Sequence, residues 1–391
     1  MFGRRKGATT PPRTGITAEP RADPAPRPRL PRGALILAGL GGATLTAFGI
    51  AAIRGIVAPV FLALVLTISV HPLRTRLERM GVARGIATGA VITAVFLLLA
   101  AFVTALGVAL AQFVALLPRF GPQIRELGAA IADVLTRAGF DQAQAQSIVA
   151  GLDPGRAIAF AGGLLGSVTD VAFGLVVVLT TLILLAVDAG SFPMVLKQLA
   201  GSRPAMVESI SAFAGGVRRY MVVTTGLGVG QGLFNWAALL LLQIPGALLW
   251  GTLSFLCSFV PNIGYFIAIV PPLVFGYFVG GWQTVVIVVV VYGVINAVVQ
   301  SVIQPRIVGD AVALGQTLTF LSVLFWATVL GPVGAILGVP LTLLARAVLV
   351  DASPDTRWWR PVIGDLAHTK SLMKHADAVA KTARHSPAGG H

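Results

Sequence analysis

The chain has 391 residues, of which 56% are hydrophobic and only 11% charged, and its formal net charge is +14. Soluble domains carry about 25% charged residues, whereas apolar runs of about 18 residues, enough to cross a hydrocarbon core of about 30 Å, recur along this sequence. A soluble fold is excluded, and so is a porin-like barrel, whose segments of about ten residues would alternate in hydrophobicity.

Residues 1–32 hold eight Lys/Arg, several prolines and few apolar residues. That is the composition of a disordered basic tail, cytoplasmic and retained, since no cleavage pattern follows it. Membrane helices occupy 33–117, with spans expected at Gly33–Ile53, Gly55–Leu73 and Gly85–Leu117. The segment between the last two carries Arg74, Arg76, Arg79 and Arg84 against Glu78, which marks that side as cytoplasmic. Gly85–Leu117 has 33 residues, more than one bilayer thickness, so it tilts or projects.

Residues 118–160 form the one sizeable polar excursion. Ile124, Leu127, Ile131, Val134 and Leu135 recur at helical spacing, and four Arg balance four acids. The reading is a small helical extracytoplasmic cap and candidate oligomer contact, with a membrane-surface helix as the alternative that the missing basic enrichment disfavours. A membrane transport core is expected over 161–350, with a basic cytoplasmic loop at 188–219. Its spans are Ala161–Val187, Met221–Leu242, Ala247–Val260, Tyr265–Gly280, Trp282–Ile303, Ala311–Leu330 and Val333–Val350, with a turn at Gln243-Ile244-Pro245-Gly246. The fold class is therefore all-α, a polytopic integral membrane protein of about eight to ten segments. An even count leaves both termini inside, with residues 351–391 as a cytoplasmic tail. The basic residues lie in tails and loops without interleaved aromatics, so the expected partner is the lipid bilayer and not nucleic acid. The single cysteine, Cys257, forms no internal disulfide.

Two apolar runs share the same punctuation. One reads Ser258-Phe259-Val260-Pro261-Asn262-Ile263-Gly264, then Pro271-Pro272; the other reads Val329-Leu330-Gly331-Pro332-Val333-Gly334, then Pro340. Proline removes a backbone donor and glycine permits bends. In a bilayer such breaks survive only where protein or a wet cavity satisfies the freed groups, and paired breaks point to a transporter's binding site. Pro261, Asn262, Gly264, Gly331 and Gly334 are accordingly candidate substrate-binding residues within two re-entrant or discontinuous segments. Ordinary proline-kinked helices are the plainer alternative.

Between the breaks, Tyr292, Asn296, Gln300 and Gln304 recur every four residues on one helix face. Asn296 and Gln300 are candidates to face a solute, with helix–helix hydrogen bonding as the alternative. Gln304, Arg306 and Asp310 flank Pro305 and are candidates for a gate, against a plain i,i+4 ion pair. Asp170 is a coupling group if it lies deep in its span, and an interface residue if the span starts after it. Gln231 and Asn235, among Gly226, Gly228, Gly230 and Gly232, read as close helix packing, with a cavity wall as the second reading. His71, beside Pro72, reads as a helix-end residue and not a metal ligand. No H-E-x-x-H, no phosphate-binding glycine loop and no Cys/His cluster occurs, so neither an enzyme, a metal nor a cofactor is expected.

Several of these stretches together resemble the autoinducer-2 exporter family of bacterial inner-membrane permeases. They are Pro72-Leu73 before a basic loop ending Gly81-Val82-Ala83-Arg84, and Leu182–Asp188 before a charged loop. Tyr220 then opens a glycine-rich span, followed by Val260-Pro261-Asn262-Ile263-Gly264 and by Asn296 leading to Gln304-Pro305-Arg306-Ile307-Val308-Gly309. Leu330-Gly331-Pro332-Val333-Gly334 through Gly338-Val339-Pro340-Leu341 completes the series. The chain departs from the family pattern at Ala189-Gly190 and at Asn262, where an aromatic is frequent. The resemblance implies an inner-membrane, multi-pass permease that works without ATP and assembles as a homo-oligomer, with autoinducer-2 export or sodium or lithium/proton antiport as its activity. The expectation from the residues is a secondary transporter for a small polar solute, working by alternating access. Cation/proton antiport is the alternative, with protons or sodium as partners, and a non-transporting membrane scaffold is a second.

Overall fold

The computed structural model describes residues 31–150, 168–261, 263–303 and 315–352, together with 155, 159, 163 and 356. It divides into two units, 1–47 and 48–391, and all packing discussed below lies within the second. Every regular element among the described residues is helical. In chain order these are α1 (Arg32–Ala52), α2 (Arg54–Arg79), α3 (Arg84–Leu116), α4 (Gly121–Arg137) and α5 (Gln142–Val149). They continue as α6 (Val168–Asp188), α7 (Phe192–Ser202), α8 (Pro204–Leu241), α9 (Ala247–Cys257), α10 (Gly264–Ala297), α11 (Gln316–Leu330) and α12 (Pro332–Arg346). π turns at Val298–Ile303 and Ala347–Asp351 extend α10 and α12.

Four helical runs are long and apolar enough to cross a membrane: Arg54–Arg79, Arg84–Arg137, Gly264–Gln300 and Pro332–Asp351. A fifth is the pair Phe173–Asp188 and Phe192–Ser202, bent by 64°. Shorter apolar helices at Leu37–Ala52, Ala247–Cys257 and Gln316–Leu330 cover further expected spans. The helix α8 covers another, its apolar half interrupted by Gln231 and Asn235. The break expected between Tyr265–Gly280 and Trp282–Ile303 is present as non-helical backbone at Gly280 and Gly281 inside α10.

The long third helix projects. Pro118 has no N–H to continue the α-helical ladder, and Leu117–Phe120 tightens to a 3-10 turn. The chain nevertheless stays helical, so Arg84–Arg137 makes one run of 54 residues. At 1.5 Å per residue this is about 80 Å, against a hydrocarbon core of about 30 Å. Its far end, α4, turns the half-buried stripe Ile124, Leu127, Ile131 and Leu135 inward and packs on α5, where Gly128 faces Val149.

Among the described residues two apolar cores stand out in the second unit, and α3 contributes to both. One gathers Ala63 of α2, Val91 and Val95 of α3, and Val178 and Leu182 of α6. The other gathers Ala109 of α3, Leu239 of α8, Trp250 of α9, and Ile269, Phe275, Val288 and Tyr292 of α10. Aromatic edges knit the second core: Phe113 meets Trp250 at 4.8 Å and Phe275 at 5.2 Å between ring centroids. Many large apolar side chains are exposed, among them Leu98, Phe234, Leu241 and Val290. Such a surface suits lipid and would be costly in water.

Candidate functional site

The first broken segment is a helical hairpin. Its leading arm, α9, has only 11 residues, about 16 Å of helix, or half a hydrocarbon core. After Cys257 the backbone tightens: the amides of Ser258, Phe259 and Val260 donate to the carbonyls of Phe255, Leu256 and Cys257 at 3.2, 3.2 and 3.0 Å. The Ile263 amide then donates to Pro261 at 2.8 Å and that of Gly264 to Val260 at 3.0 Å. Gly264 is buried where a Cβ would collide with the Cys257 carbonyl, so the returning arm starts against the backbone of the arm it leaves. Pro261 is half-buried in this turn. Asn262 lies outside the described residues.

The second broken segment turns on one residue. Gly331 has φ 73° and ψ −155°, a conformation essentially reserved for glycine. α11 and α12 pack along their lengths, with Gly334 so close that a Cβ would collide with the Trp326 carbonyl. The Trp326 indole donates to Thr342 Oγ1 at 3.1 Å, tying the two arms. Each arm has 15 residues.

Helix α8 reaches both hairpins and satisfies carbonyls at the irregular points. Tyr220 is buried and donates its hydroxyl to the Phe259 carbonyl at 3.1 Å. Ser209 donates to the Ala347 carbonyl, at the start of the second π turn, at 2.6 Å. Arg218 Nε donates to the Ile68 carbonyl of α2 at 3.3 Å. Ile68 stands four residues before Pro72, which has no N–H to offer it. Nothing local in the sequence announces these bonds, since Arg218 and Ile68 lie 150 residues apart. Proline at 72 does announce that an orphaned carbonyl exists at 68.

The polar stripe is only partly as expected. Tyr292 is buried, Asn296 half-buried and Gln300 exposed, and Gln300 donates to Asn296 Oδ1 at 3.0 Å. The 3.6-residue period accounts for the change of face: eight residues on from Tyr292, Gln300 has drifted by about 80°, whereas Val299, seven residues on, stays on Tyr292's face and is buried. Gln304, Arg306 and Asp310 lie outside the described residues. The backbone of Asp170 is helical, within α6.

Sequence reading had assigned Gln231 and Asn235 to packing. Both are buried, together with Ser254 of α9, and α8, α9 and α10 pack mutually. From Met221 to Ile303 the sequence contains no Asp, Glu, Lys, Arg or His. A cleft of about 240 Å³ opens where α8 turns into α9, lined by Gln112, Trp236, Leu240, Ile244 and Ala247.

The sequence pattern of the AI-2E family transporters matches residues 36–353. The chain belongs to this family. It is 28% identical over 310 residues to "AI-2 transport protein TqsA" of Escherichia coli K12, covering 79% of this chain and 90% of that one. It is 26% identical over 311 residues to "Putative transport protein YhhT" of the same organism, with 80% and 89% covered. A "Putative transport protein" of Haemophilus influenzae is 35% identical over 155 residues, 40% of this chain and 42% of that one. The AI-2E match spans both hairpins, helix α8 and the membrane-crossing runs, so the protein is a multi-pass inner-membrane transporter.

Proposed function

We propose that this AI-2E family protein is a secondary permease that exports a small, neutral, hydroxyl-bearing solute, autoinducer-2 being the first to test, by alternating access. The observation that carries the reading is the pair of glycine/proline-broken hairpins served by one helix, α8. Freed backbone groups in a bilayer persist only where protein or a wet cavity satisfies them, and paired breaks of this kind mark transporter binding sites. In this reading the two hairpins enter the membrane without crossing it. Pro261, Asn262, Gly264, Gly331 and Gly334 border the solute path, and Asn296 and Gln300 lie along it. Gln304, Arg306 and Asp310 form the cytoplasmic gate, and Asp170 sits at the outer end of its span. The α4–α5 cap is extracytoplasmic and contributes to a homo-oligomer, and both termini are cytoplasmic. The uncharged stretch from Met221 to Ile303 offers no carboxylate or histidine to carry a coupling proton, which favours a neutral solute over cation/proton antiport.

Purified protein in liposomes with an imposed pH gradient decides between the readings. Uptake of labelled autoinducer-2, with no change of internal pH on adding sodium or lithium, is the expected result. Cation-driven proton movement without solute uptake would instead make the protein an antiporter and return attention to Asp170 and Asp310.

A further inference from the structure

The core between α8, α9 and α10 holds a polar group that its packing leaves unanswered. Asn235 is 1% exposed and its Oδ1 has no hydrogen-bond partner, while the Tyr292 hydroxyl, 2% exposed, is paired with Ser254. Ser254, fully buried on α9, lies beside the Tyr292 hydroxyl. Its own proton goes to the Trp250 carbonyl at 2.9 Å, so toward the tyrosine it is an acceptor, and the tyrosine oxygen keeps its lone pairs for a ligand. Gln231, one helical turn before Asn235, is buried too. The packing reading of these residues predicts interhelical bonds, and buried polar side chains are nearly always bonded. Here the Asn235 oxygen is not.

Close packing surrounds this polar lining. At Gly232 a Cβ would come within 2.9 Å of the Gly251 carbonyl and 3.1 Å of Phe255 Cβ, so α8 and α9 touch through their backbones. The groups are therefore closed in, and a ligand would reach them only when the helices part. Arg219, the nearest charged residue before Asn235 along α8, is 16 residues away in sequence, about 24 Å of helix. A charged ligand would find no counter-charge on these three helices from Met221 onward. A neutral molecule with hydroxyls can both donate to Asn235 Oδ1 and exchange a hydrogen bond with Tyr292.

We infer that Asn235, Ser254 and Tyr292, with Gln231 a turn below, line a solute station between α8, α9 and α10 that takes a small neutral hydroxyl-bearing molecule. The inference rests on the permease reading but moves the binding contacts from the hairpin turns to the helix core beside the first of them. Two measurements test it. In liposome flux of labelled autoinducer-2, N235L and Y292F each lose about tenfold or more, the scale of one buried hydrogen bond. T252V, on an exposed face of α9 where Thr252 bonds only its own helix, keeps wild-type flux. Y292F removes a single oxygen, so it tests the idea even if N235L folds poorly. In the second measurement, S254C in a C257A chain reacts with a small water-soluble thiol reagent, and autoinducer-2 slows that reaction.

Unchanged flux in N235L and Y292F, with wild type active, would overturn the station and leave the permease reading standing. If wild type moves no autoinducer-2 but S254C reacts from water and is protected by a small polyol such as erythritol, the station stands and the autoinducer-2 reading falls. An unreactive S254C, or one protected by neither solute, would overturn the station.

Discussion

The two hairpins carry similar punctuation and solve the same problem differently. α11–Gly331–α12 makes its turn alone: one glycine with positive φ turns the chain, Trp326 and Thr342 clasp the arms, and the bond it takes from α8, Ser209 to the Ala347 carbonyl, lies past the far end of α12. The α9–α10 hairpin spends the residues from Ser258 to Ile263 on its turn and borrows a donor, the Tyr220 hydroxyl, from α8. The borrowed bond couples the first hairpin to a neighbouring helix at its irregular point. The polar groups of Asn235 and Tyr292 lie beside that hairpin, whereas the second reaches α8 through Leu343 near Gly216. A hairpin that depends on its neighbour can be shifted by it, which is the kind of two-state element a transport cycle requires.

The largest expected effect is one the hairpins share. Gly264→Ala and Gly334→Ala each place a methyl group against a backbone carbonyl, Cys257 in one and Trp326 in the other. Neither carbonyl can move without moving its helix, so each substitution should destabilise by about 3 kcal/mol, the upper end for overpacking. Thermal unfolding in detergent measures this. A tolerated Gly334→Ala beside a damaging Gly264→Ala would show that only the first hairpin is closed tightly.

The next effect should separate them. Tyr220→Phe keeps the ring and removes the donor, leaving the Phe259 carbonyl unsatisfied at a cost of about 1–3 kcal/mol. Hydrogen exchange should quicken around residues 258–264 and stay unchanged around Gly331. Equal protection at both turns in the variant would refute the dependence of the first hairpin on α8.

Much of this fold was legible because apolar period and proline/glycine punctuation act locally. The turn at Gln243–Gly246, the break at Gly280–Gly281 and both hairpin turns stand where those residues put them. What the sequence hid is what depends on distant partners. The bond from Tyr220 to Phe259 spans 39 residues, and no local pattern marks it. The π turn after Ala297 was also invisible, because a shift in winding leaves no compositional trace. Asn235 was noticed as polar but assigned to packing, since only the finished structure shows that its oxygen lacks a partner.

The smallest effect tests whether α8 answers an orphaned carbonyl in α2 as it answers those of the hairpins. Arg218 donates to Ile68, whose carbonyl lacks its usual partner because residue 72 is proline. Arg218→Met keeps the length of the side chain and removes the donor, at a cost of about 1 kcal/mol for a half-buried bond. In a Pro72→Ala background, residue 72 regains an N–H and can answer Ile68 itself, so the same substitution should cost less. The coupling energy of this double-mutant cycle, about 0.5 kcal/mol or more, is read from unfolding of the four proteins. Zero coupling would mean that Arg218 acts by charge alone, through its neighbours His71 and the basic end of α2. Positive coupling would make α8 the element that answers orphaned carbonyls in α2 and in the first hairpin alike, so that any movement of this helix is felt at both.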